Sequence, residues 1–214
     1  MKPLRLLLPI SAIFLGPALR AQEPLAADEL ARGGRLLAAE TARLERLPFR
    51  LELAPERASG LKAGEAGALF LPDQRILQTS GRRQAKDGQT KERKAGRGAA
   101  QPVGQLWLAR LVPLQGELAL SADALRRVKV TEEGRERDLV TFTLGIEKVR
   151  KSGPQLALHG RDGAVVLRVP LTAEKAKGGA TTLTARKLAD DRGVLELRLQ
   201  GRYRAEIPVT LASS

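Results

Sequence analysis

The chain has 214 residues, no cysteine, a single histidine and a formal net charge of +13. Without cysteine it can build neither a disulfide framework nor a thiolate metal site, and one imidazole does not make a zinc centre of ordinary composition. Aromatic residues are 3% of the chain, so the core is aliphatic and few rings remain for stacking sugars, which disfavours a carbohydrate-binding module.

The N-terminus, MKPLRLLLPISAIFLGPALRAQEP, places Lys2 and Arg5 ahead of an apolar stretch from Leu6 to Leu19. This is the tripartite pattern of a secretory signal peptide, residues 1–21, with Ala21 the last residue removed. The stretch falls short of the roughly 20 apolar residues that span a bilayer, and Pro9, Gly16 and Pro17 interrupt it. The expected product is exported, to the periplasm or the extracellular space, and carries about +10 once Lys2, Arg5 and Arg20 have left. Such an excess favours acidic partners, an envelope polymer or an acidic protein, and export makes nucleic acid the least natural of them.

Residues 22–47 are predicted to hold an amphipathic N-terminal helix. Ala, Leu, Arg and Glu dominate there, and Leu30, Leu37, Thr41 and Leu44 form a one-sided stripe. The helix pattern runs from Ala26 to Leu47; Gly33 and Gly34 each cost about 1 kcal/mol against Ala, which leaves a start after them as an open alternative, and Pro48 ends the helix.

Residues 48–214 read as one β domain. Phe49 to Leu53, FRLEL, alternates as a first strand and Ala66 to Leu71 as a second, with a glycine-rich loop between them. That loop contains Ser59 and Lys62 at the Ser-x-x-Lys spacing of serine acyl enzymes, but the flanking glycines argue against the helix start such chemistry uses.

Residues 80–101 are predicted to be a disordered basic insertion. They lack large apolar side chains, and Arg82, Arg83, Lys86, Lys91, Arg93, Lys94 and Arg97 form a candidate site for an anionic partner. Gly104 to Pro113, GQLWLARLVP, is apolar on both faces and reads as one central strand, or one covered by the helix, with Trp107 in the core.

Shorter strands follow at Glu117 to Leu120 and Arg127 to Thr131, then the clear alternation of Leu139 to Ile146. Leu156 and Leu158, Val165 to Leu171, and Ala180 to Lys187 continue the series. Gly193 to Leu211 closes it as a hairpin, with Leu195, Leu197 and Leu199 on one arm and Ala205, Ile207 and Val209 on the other. Short strands separated by turn signals predict a mainly β fold, an antiparallel β-sandwich, immunoglobulin-like or related.

His159 stands beside a predicted turn and reads as a solvated strand end, and the acid pairs Glu132 with Glu133 and Asp190 with Asp191 read as turn residues. No catalytic residue, metal ligand or cofactor is nominated. The function expected is an exported, non-catalytic binding or structural accessory module of the periplasm or cell envelope; the alternative is a hydrolase with a carboxylate-based site.

Overall fold

The computed structural model describes residues 23–78, 100–149, 152–174, 179–187 and 191–212. The protein is mainly β, an antiparallel sheet of many strands nearly closed as a barrel, with two α-helices among the described residues. In chain order the elements are β1 (Glu23–Pro24), α1 (Ala27–Arg43), β2 (Ser59–Ala63), β3 (Ala66–Pro72), α2 (Gln74–Gln78), β4 (Gln101–Ala109), β5 (Leu111–Gln115) and β6 (Leu118–Ala119). Then come β7 (Arg126–Glu132), β8 (Arg135–Val149), β9 (Gly153–His159), β10 (Val165–Ala173), β11 (Thr182–Lys187), β12 (Arg192–Leu199) and β13 (Tyr203–Leu211).

The path of neighbours is β1-β2-β3-β4-β8-β9-β10-β13-β12-β11. Three strands bend this path by changing partners along their length. β8 pairs with β4 on one side and with β7 and then β9 on the other. β10 leaves β9 after Pro170 and joins β13 from Leu171 onward, and the far end of β13 pairs with β5. Strands that change partners in this way turn the corners of a closed or folded sheet.

The C-terminal hairpin forms in the expected register, with Leu195 opposite Ile207 and Leu197 opposite Ala205. Gln200 and Gly201 turn it with φ of 53° and 63°, the positive values that the twist of a tight hairpin requires. Its inward row joins Phe70, Leu106, Phe142 and Leu144 in the interior core. The outward row is a ladder of charge: Arg198 lies 2.7 Å from Glu196, and Arg186 of β11 lies 2.9 Å from Glu206.

A second, smaller core lies outside the sheet, where Leu69, Leu71, Trp107 and Val130 pack beneath Leu37 of α1. This accounts for a β4 that is apolar on both faces. Of the two starts the sequence left open, helix α1 takes the earlier one and runs through the glycine pair. Gly34 is buried, and a Cβ there would lie 2.8 Å from the carbonyl oxygen of Pro55, so the glycine allows the helix to touch the 3-10 turn Pro55–Arg57. The helix ends at Arg43, well before Pro48.

Three further expectations are corrected. Residues 49–53 form no ladder strand beyond a bridge from Leu53 to Asp73, because the buried Asp73 carboxylate takes the Glu52 amide at 2.8 Å in place of a neighbouring strand. The glycine-rich stretch is not a loop: Ser59–Ala63 is β2, paired along its length with β3. The GQLWLARLVP run is two strands, broken at Arg110, whose φ of 53° turns the chain out of the β4 ladder and into pairing with β13. Of the basic insertion expected at residues 80–101, residues 80–99 lie outside the described residues, and Gln101 already belongs to β4.

Candidate functional site

The seven basic residues nominated from sequence, Arg82, Arg83, Lys86, Lys91, Arg93, Lys94 and Arg97, all lie outside the described residues. The other sequence candidates are each committed to a structural contact. Ser59 faces the barrel interior and its hydroxyl accepts the Leu183 amide at 2.8 Å. Lys62, an odd number of positions away on a strand, faces the opposite side and meets Glu29 of α1 at 2.9 Å. Its hydrogen bond to Glu29 raises the ammonium above its ordinary value, the wrong direction for a general base.

Glu132 and Glu133 point to different partners, Arg137 at 3.5 Å and Arg32 of α1 at 2.5 Å. Asp191 uses its backbone carbonyl to take the Leu211 amide, while Asp190 lies outside the described residues. Trp107 is 2% exposed and belongs to the core beneath α1.

His159 corrects the expectation of a solvated strand end, since only 6% of it is exposed. Its Nδ1 sits 2.9 Å from the carbonyl of Gly163, which fixes Nδ1 as the protonated nitrogen because a carbonyl only accepts. Phe49 meets the ring edge to face at 5.4 Å, and the buried Nε2 has no partner among the described residues. Beside it, Arg126 donates to the carbonyls of Glu45, Arg46 and Arg161, tying the segment after α1 to the β9–β10 turn. Burial pulls the Arg126 guanidinium below its ordinary value, against the attraction of Asp162.

Polar side chains on the covered face of β4 and β8 satisfy one another. Gln105 donates to Thr141 at 2.7 Å and accepts from Thr143 at 3.1 Å, and Thr141 donates to the Leu106 carbonyl. An open cleft of about 770 Å³ separates the C-terminal half of α1 from residues 44–55, and within it the Thr41 hydroxyl donates back to Leu37.

The feature that sequence reasoning missed is the seam where the barrel fails to close. β11 pairs with β12 along one edge and approaches β2 with the other, and no strand among the described residues pairs with that second edge. A bond from the Leu183 amide to the Ser59 hydroxyl joins the two sides among the described residues. Beside it lies an apolar hollow of about 50 Å³, walled by Leu61, Ala63 and Ala66 on one side and Ala185, Leu195 and Val209 on the other. Arg186 and Arg192 stand at its rim, paired with Glu206 and Glu117. The alternation of TLTARK marks a strand but carries no sign of which edge stays free.

The chain matches no family model, no curated protein and no solved structure.

Proposed function

We propose that this chain is an exported, non-catalytic binding or structural accessory module of the periplasm or cell envelope, which docks to an acidic polymer or acidic protein through Arg82, Arg83, Lys86, Lys91, Arg93, Lys94 and Arg97. The finer architecture proposed with it is two packed layers of a β-sandwich, immunoglobulin-like or related, with β10 crossing between them. The observation that carries the function is the partition of charge. Acids and bases nearly balance among the described residues and pair along the strands, whereas residues 79–99 hold seven bases against two acids. The engagement of Ser59, Lys62 and Asp73 in packing contacts also favours a scaffold over a reactive centre.

Several bases engaging an acidic polymer displace counterions together, so affinity falls steeply with salt, whereas a β domain of balanced charge responds weakly. Deleting residues 82–97 is therefore expected to move elution from a heparin column to much lower salt and to leave the melting temperature nearly unchanged. Unchanged retention would remove this segment from the function.

A further inference from the structure

We infer that the cleft between the C-terminal half of α1 and residues 44–55 is a binding site for a fatty acid, with its carboxylate on Arg50 and its aliphatic chain laid along the hollow. This goes beyond docking through residues 82–97, and neither depends on the other.

The cleft is open and measures about 770 Å³, within the range of small-molecule sites. On the helix side Ala38, Thr41 and Ala42 share one face, and the two alanines leave width between the helix and the facing chain. Opposite them Leu47 and Leu51 are half-buried and belong to neither core cluster. This wall is anchored without a partner strand. Phe49 packs on the His159 ring at 5.4 Å and over Gly145, where a Cβ would lie 3.0 Å from the Phe49 ring. The Arg50 carbonyl accepts from the Arg75 guanidinium at 2.5 Å, and the Glu52 amide donates to Asp73 at 2.8 Å. The backbone along the hollow is thus preorganised, which lowers the ordering cost of binding.

Charge identifies the head group. Among the described residues, Arg50 is the single charge in the lining, and its exposed guanidinium has no acidic partner. The neighbouring arginines differ: Arg43 lies 2.7 Å from Glu40, and Arg46 lies 3.5 Å from Asp162. One free guanidinium matches one carboxylate, which it can hold through two parallel hydrogen bonds. The other polar side chain in the lining, Thr41, already donates to the Leu37 carbonyl, so no further side chain there orients a polar body. An unbranched aliphatic chain needs no such group and gains by covering the two leucines.

The test titrates the full chain, its alanine methyls isotopically labelled, with octanoate, decanoate and dodecanoate below their micelle concentrations. Dodecanol and dodecyltrimethylammonium serve as probes without a negative head. Dodecanoate is expected to shift the Ala38 and Ala42 methyls and to leave Ala63 and Ala66, at the smaller hollow beside β11, unmoved. Each two-carbon extension should tighten binding by roughly tenfold through burial of methylene surface. Arg50→Gln should weaken dodecanoate by about tenfold and leave dodecanol unchanged, Arg50→Lys should keep most of the affinity, and dodecyltrimethylammonium should bind the wild type more weakly than dodecanoate does. Ala42→Leu narrows the hollow from an exposed helix position and should weaken every chain without altering the melting curve. Affinity indifferent to chain length, or to Arg50→Gln, overturns the inference. Shifts seen only above the micelle concentration assign the surface to a lipid assembly, and shifts produced by raising the protein concentration alone assign it to a second copy; either overturns it equally.

Discussion

Asp73 is the only buried carboxylate among the described residues, and four donors converge on it. The Arg75 guanidinium reaches both oxygens at 2.8 Å, the Arg75 amide reaches Oδ1 at 2.9 Å and the Glu52 amide reaches Oδ2 at 2.8 Å. Burial pulls its carboxyl upward, but these donors outweigh burial and hold it below the ordinary carboxylate value of 3.8. Removing the charge leaves donors facing an amide group, so Asp73→Asn should cost about 3 kcal/mol at neutral pH, read as a lower urea midpoint at unchanged slope. A carboxyl depressed by folding contributes stability that is fully present above its unfolded value and is lost as pH falls through its folded one. The gap between wild type and variant should therefore hold steady from neutrality down to about pH 5 and narrow below 3.8; a gap still constant near pH 3 would deny the depression. None of this was legible from the Pro72-Asp73 pair alone, because the Glu52 amide arrives from a segment that sequence alternation assigns to a strand.

Helix α1 shows the same division at the scale of one element. Its buried face, with Leu37 and Thr41 on the expected stripe, is legible because a helix repeats locally every 3.6 residues. The two adjacent glycines look alike in sequence and differ only in what stands opposite. A Cβ at Gly33 would lie 3.4 Å from the Leu69 side chain, an ordinary contact, and one at Gly34 would lie 2.8 Å from a backbone oxygen. Gly33→Ala should stabilise by up to about 0.8 kcal/mol through helix propensity. Gly34→Ala should destabilise by about 1–3 kcal/mol, because separating the helix from the 3-10 turn costs more than propensity returns. Paired thermal melts check this, and two shifts of the same sign would mean that the helix does not lean on Pro55. The break between β4 and β5 is likewise an element-scale event: the Arg110 side chain bonds to Glu65 of the β2–β3 turn, and the Arg110 carbonyl takes the Ala212 amide.

For the whole molecule, the division of β10 between β9 and β13 makes the two ends of the sheet one mechanical unit. Trp107, the only tryptophan, reports the core beneath α1, while far-ultraviolet circular dichroism reports the strands. Both signals should follow a single urea transition; a fluorescence midpoint at lower urea would show that the helix layer opens before the barrel. By itself the sequence determined the strand-rich class, the C-terminal hairpin, the helix stripe and the crowding of positive charge into one segment. Each is carried by residues within a few positions of one another, through a period of two, a period of 3.6 or a local count of charge. Only the tertiary structure decided that His159 is buried under Phe49, that β8 and β13 each divide an edge between two partners, and that the sheet stops short of closure between β2 and β11. Those outcomes depend on which distant backbone edges meet, and an alternating strand presents the same two edges whether or not a neighbour arrives to pair with them.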